Sequence, residues 1–161
     1  MADKKVFNIK FVTIEIASKS LVDPTAIKIK DDKNIDCRFD FLVDVKIGPS
    51  EKVALAVTDV TVIEAVTNIQ LAKFKTICVF EFPENFDVYF TKNEENKYDM
   101  PVELEIILKS AGLSTTRGII FSELRGTYLH GAILPLIDIA SLIMESRKKK
   151  EIKDEQENNQ S

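Results

Sequence analysis

Apolar and polar residues alternate with period two over residues 34–47, the clearest pattern in the chain. Ile35, Cys37, Phe39, Phe41, Val43, Val45 and Ile47 share one parity; Asp36, Arg38, Asp40, Asp44 and Lys46 take the other. Successive side chains of a strand point to opposite faces, so this predicts a long strand with one buried and one wet face. Residues 5–16 alternate too, but Phe7, Ile9 and Phe11 take one parity and Val12, Ile14 and Ile16 the other. A bulge near Phe11, or a strand covered on both faces, accounts for the switch. Residues 52–68, rich in Val, Thr and Ile, predict a third strand, and residues 70–82 a fourth. In the fourth, Phe74, Thr76, Cys78, Phe80 and Phe82 share one face, while Lys73, Lys75, Ile77, Val79 and Glu81 share the other. Apolar residues on both parities leave open which face is core. Gly48-Pro49-Ser50 and Asn68 supply tight connections, and Asp23-Pro24 and Asp31-Asp32-Lys33 read as turns.

Helical spacing replaces alternation in the second half. Residues 83–99 are polar and acidic and read as a loop. Asp99 is the expected N-cap, with Pro101 in the first turn and Leu104, Ile107, Leu108 and Ala111 at helical spacing. This predicts a helix over residues 100–125, with a kink near Gly112; Glu103 and Glu105 favour its dipole. Ala111, Gly112, Ser114, Thr115 and Gly118 would let another backbone approach closely. Gly126 is the expected residue just past the helix end. The stretch from Arg125 to Asp138 is apolar, glycine-punctuated and carries Pro135. It must pack on its own domain, on a partner subunit or on a client. Asp138 is the expected cap of a last helix through Arg147, with Ile139, Leu142 and Ile143 along one side. Beyond Lys148 the chain is polar and predicts a disordered tail. The expected architecture is α+β: a four-stranded antiparallel sheet, a long helix, an apolar connecting loop and a C-terminal helix. Residues 1–147 form one domain in this reading, and 148–161 a tail.

Composition narrows function mainly by exclusion. With 161 residues, 45% hydrophobic and 30% charged, the chain reads as one soluble domain. A net charge of −4 gives no basic footprint for nucleic acid. No apolar run is long enough for membrane insertion, and the first residues lead into alternation, not an apolar signal segment, which makes the cytoplasm the expectation. Cys37 and Cys78 sit in apolar runs without a CxxC spacing and read as reduced, buried thiols. His130 is the only histidine and has no partners for a metal site or a catalytic pair. Glu103 and Glu105 are two apart, so they do not face each other on a helix. No dinucleotide, phosphate-loop or serine-nucleophile motif is present. The expectation is a binding or assembly protein: no enzyme, no cofactor, no metal.

With this layout, Arg125-Gly126-Thr127-Tyr128 resembles the Arg-Gly-Thr-Phe of the SecB export chaperones, and Ile133-Leu134-Pro135-Leu136 resembles their apolar proline segment. Ile77-Cys78-Val79-Phe80 looks like the family's fourth strand and Phe7-Asn8-Ile9-Lys10 like its first, so the resemblance runs from about Val6 to Ser146. It implies a homotetramer, a dimer of dimers, that binds non-native polypeptide or preprotein without ATP and delivers it to the SecA motor. The grooves would lie between the sheet, the helix-connecting loop and the main helix. Carried over, the client-binding residues are Phe74, Ile77, Phe80 and Phe82 from the strand, and Tyr128, Leu129, Ile133, Leu134, Leu136 and Ile137 from the loop. Motor docking falls to Asp23 and Glu81, because Val79 stands at the fourth-strand position where the family has an acid. Leu129 stands where the family usually has proline, and Ile137-Asp138 where it has Asn-Phe.

Three functions compete on these residues. The first is a chaperone whose apolar grooves take unfolded chains. The second is an adaptor that keeps the fold and binds one dedicated partner, in assembly or toxin neutralisation. The third, a small-ligand binder or enzyme, has no residue constellation behind it.

Overall fold

The computed structural model of the chain describes residues 7–26, 35–94 and 97–158. Four twelve-residue strands, β1 (Lys10–Leu21), β2 (Cys37–Gly48), β3 (Val53–Glu64) and β4 (Gln70–Glu81), form one sheet in the order β1-β4-β3-β2. Every neighbouring pair is antiparallel. β2, β3 and β4 follow one another as a meander, whereas β1 crosses to the far side of β4. Both β1 and β2 are therefore edges. The parity switch in β1 is a bulge: its register with β4 shifts between Phe11 and Thr13, and again between Ile16 and Ser18. The two shifts keep Phe11, Ile14, Ile16 and Leu21 on the face that carries Phe80, Cys78, Thr76 and Ala72. The turn expected at Asp31-Asp32-Lys33 lies outside the described residues.

Residues 83–99, expected as a loop, carry structure of their own. A single helical turn, α1 (Phe86–Tyr89), precedes a short hairpin of β5 (Thr91–Lys92) and β6 (Tyr98–Asp99). The reason is aromatic packing: Phe82, Phe86 and Phe90 are buried against one another, with ring centroids 4.6–6.3 Å apart. Asp99 is consequently a strand residue and not a helix cap. Pro101 takes the cap position of α2 (Val102–Leu124), where its missing N–H costs nothing.

α2 is one continuous helix of 23 residues packed across β2, β3 and β4. Gly112 is its point of closest approach. A Cβ there would lie 2.9 Å from Ala56 Cβ and 3.2 Å from Thr58 Oγ1, so a side chain would push the helix off β3. A buried threonine layer marks the crossing: Thr76 and Thr116 share a hydrogen bond of 2.6 Å, and Thr116 Oγ1 donates to Gly112 O. On either side lie two apolar clusters. One gathers Ala56, Cys78, Phe80, Phe82, Leu104 and Leu108 beside the aromatic turn. The other gathers Val60, Phe74, Leu113, Ile120 and Leu124 with the loop that follows α2. α3 (Ile139–Asn158) continues past Arg147 into the stretch whose polar composition predicts a tail. Lys and Glu dominate that stretch and are good helix formers, so polarity alone does not end the helix.

Candidate functional site

The loop between α2 and α3 is tied down at four points. Gly126, at φ +78°, turns the chain out of the helix in a conformation that disfavours other residues. Tyr128 Oη donates to Val22 O just beyond β1, at 2.7 Å. Arg117, projecting from α2, forks onto two successive carbonyls: Nε to Leu134 O at 3.1 Å and Nη2 to Pro135 O at 3.0 Å. Asp138 caps α3 as its sequence position predicts, accepting from Ser141 N at 3.1 Å and Ser141 Oγ at 2.7 Å. Between these ties the loop sorts its apolar residues. Leu129, Ala132 and Leu134 are buried in the core, while Ile133 is 58% and Leu136 88% exposed. Fixed backbone thus holds two large aliphatic side chains in water.

Next to this loop, a cleft of about 810 Å³ opens between β2, α2 and α3. Phe41, Leu42 and Val43 form its strand wall, and Ile139, Leu142 and Ile143 its helix wall. Glu105 sits at its polar end, with Oε1 2.8 Å from Lys109 Nζ and Oε2 2.8 Å from Arg147 Nη2. Burial pushes the Glu105 carboxyl up, but hydrogen bonds from Lys109 and Arg147 outweigh it and hold it below its ordinary value. The pair with Arg147 ties α3 to α2 across the cleft.

The ten residues expected to bind a client fall into three groups. Phe74, Phe80 and Phe82 face α2 and are buried, as are Leu129 and Leu134. They are core of this chain, and a client reaches them only if the core opens. Ile77, Tyr128 and Ile137 are half-buried, with Ile77 on the opposite sheet face from the three phenylalanines. Ile133 and Leu136 alone are displayed. The parity left open by sequence is settled by the helix: the aromatic stripe of β4 is core. Asp23 and Glu81 do not form one surface. Glu81 pairs with Lys10 at 3.0 Å at one end of β1, and Asp23 accepts from Thr25 N and Oγ1 in a turn beyond the other end.

Sequence reading missed the cleft residues Phe41, Leu42, Glu105, Lys109 and Arg147 as a group. One signal was available. Leu42 is the single apolar residue on the wet parity of β2, between Asp40 and Asp44, and it is 65% exposed. Cys37 and Cys78 are free thiols whose pKa values are raised, chiefly by burial. His130 is exposed, with Nδ1 3.1 Å from Thr127 O. Among the described residues no group of three or more potential ligands could hold a metal ion, and no helix is long and apolar enough to cross a membrane.

The architecture defines the class: a four-stranded antiparallel sheet backed by a long helix, with an apolar loop leading to a second helix, is a SecB-like α+β fold. Among solved structures, the chain is similar to the SecB-like chaperone Rv1957 of Mycobacterium tuberculosis, solved in complex with a ChAD peptide from the Rv1956 HigA1 antitoxin. The TM-score is 0.51 at 11% sequence identity, over 80% of this chain and 90% of that one. No family model matches the sequence. No curated protein matches it either.

Proposed function

We infer that this protein is an ATP-independent polypeptide-binding chaperone that takes non-native chains at the cleft and at the exposed loop beside it. The observation that carries this reading is the display of Ile133 and Leu136 on a loop pinned by Arg117, leading directly into the apolar wall of an open cleft. Exposed aliphatic side chains on fixed backbone bind the apolar side chains that folded proteins hide. No bond is made or broken, so no catalytic group is needed. A second reading, an adaptor for one dedicated partner, gains support from the structural relative solved with an antitoxin peptide.

The working form in this proposal is a homo-oligomer, a dimer of dimers. Along β1, Phe11, Ile14, Ile16 and Leu21 stand 43–45% exposed on the helix side of an unpaired edge. A second copy covering that row would remove both the apolar surface and the open edge. Several such clefts on one particle would raise avidity for a long unfolded chain. Delivery of preproteins to SecA is the finer form of this reading. Asp23 and Glu81 would then act at separate places, and Glu81 would first have to leave Lys10.

The test is suppression of aggregation of a chemically denatured model substrate, without nucleotide. The chaperone reading expects protection near a stoichiometric ratio. No protection, together with tight capture of one folded partner, would overturn it in favour of the adaptor.

A further inference from the structure

The strand wall of the cleft shows how a polypeptide would be held. Phe41, Leu42 and Val43 all line it, yet successive strand side chains point to opposite faces of a sheet. One cavity meets three consecutive strand residues where it opens on the strand's edge. β2 is such an edge: among the described residues it pairs with β3 on one side and with no strand on the other. Two contacts establish which backbone groups look outward. Asp36 O accepts from Ala65 N at 2.9 Å, on the β3 side. Val45 N–H is taken instead by the Asp44 carboxylate, at 2.9 Å. In an antiparallel ladder the N–H and C=O of one residue point the same way. Even-numbered residues of β2 therefore bond to β3, while Phe39, Phe41 and Val43 turn their N–H and C=O toward the free edge.

Resting on the polypeptide-binding reading above, we propose that an extended polypeptide adds to β2 as a fifth strand, pairing with the backbone of Phe39, Phe41 and Val43. Only another main chain carries donors and acceptors at the spacing a strand edge presents, about 3.3 Å per residue. Its side chains then alternate between the apolar wall of Ile139 and Ile143 and the side of the sheet where Leu42 stands. The charges at the cleft's end add little selection, because both Glu105 oxygens are already engaged by Lys109 and Arg147. Asp44 limits the pairing at one end by occupying Val45 N–H. Recognition by backbone and apolar side chains tolerates many sequences. It disfavours folded proteins, most of whose backbone groups are already paired.

The experiment is amide hydrogen exchange on the full chain, alone and with reduced, carboxymethylated α-lactalbumin as a permanently unfolded probe. It is paired with binding of an apolar peptide of about ten residues cut from that probe, N-methylated on alternate residues of either parity. The amides of Phe39, Phe41 and Val43 should slow on binding, while those of Leu42 and Asp44 hardly change. N-methylation on one parity should weaken binding roughly tenfold per blocked bond, and on the other hardly at all. Binding without edge protection and with equal loss on both parities would overturn strand addition and leave the polypeptide-binding reading intact. No binding of the probe would overturn both. Protection that rises with protein concentration in the absence of probe would assign the edge to a second copy and overturn the proposal.

Discussion

The two edges of the sheet differ in what they leave open. The β1 edge is broad and apolar: Phe11, Ile14, Ile16 and Leu21 form a row beside α2, which Lys19 Nζ reaches through Glu123 Oε2 at 2.6 Å. Its two bulges leave that row on one face despite a shifting register. The β2 edge is recessed. α3 stands off from it, and the space between is a cleft with a free backbone on one side and aliphatic side chains on the other. A flat apolar row suits a rigid surface of matching shape, such as a second copy. A slot suits a single extended chain. Exposed apolar surface on this fold is thus of two kinds, and in the proposed function assembly uses the β1 edge and binding the β2 edge.

Both edges depend on the shared core, where the largest effect is expected. Leu129 is fully buried, so Leu129→Asp should place a charge in the core and unfold the chain. The cost is on the order of 4 kcal/mol or more, read as loss of cooperative urea unfolding. A folded Leu129→Asp protein would mean that the loop is not core at that position. At the β1 edge, Ile14→Glu with Ile16→Glu should reduce the particle mass seen by light scattering. Binding of a short unfolded peptide per chain should stay within about twofold, since neither residue lines the cleft. Unchanged mass would remove β1 from the assembly.

Smaller effects sharpen the β2 side. Arg117→Lys keeps the charge but cannot fork onto Leu134 O and Pro135 O. It should cost about 1–2 kcal/mol of stability and weaken polypeptide binding by freeing the loop. Retained stability with full binding would show that the fork positions nothing. The Glu105 tie gives the smallest effect. Its carboxyl is held below the ordinary glutamate value of 4.5, so the tie is intact above that pH and is lost as pH falls through the lowered value. From about pH 5 to about pH 3, wild type should lose up to about 1 kcal/mol more stability than Glu105→Gln, because Arg147 is half exposed and solvent screens the pair. Equal losses in the two proteins would show that the tie contributes nothing.

How far the sequence foretold this molecule follows from which forces act locally. Alternation along β2, the cap at Asp138 and the turn at Gly126 are local, and each stands where its residues predict. The parity switch in β1 was legible as either a bulge or a strand covered on both faces, and the register shift after Phe11 decides for the bulge. The crossing of β1 to β4 was not legible, since strand order depends on contacts between distant segments. Nor was the helix side of β4: both its parities are apolar, and only the docking of Gly112 on β3 decides between them. The resemblance pointed to the loop as a groove wall, whereas the residues that line the cleft come from β2, α2 and α3 and from Asp99. It could not sort Leu129 and Leu134, which are core, from Ile133 and Leu136, which are displayed. The cleft was hidden because Phe41, Glu105 and Arg147 meet only in three dimensions. Leu42, apolar on the wet parity, was its one visible trace.

In the proposed function, unfolded polypeptide binds along the β2 cleft and the displayed loop. Calorimetric titration of the Leu42→Asp, Leu136→Asp double variant with a permanently unfolded chain tests it most directly. Both side chains are exposed, so the fold should survive with its circular dichroism and urea midpoint unchanged. Affinity should fall by about tenfold or more. A folded double variant that binds the unfolded chain as tightly as wild type would contradict it.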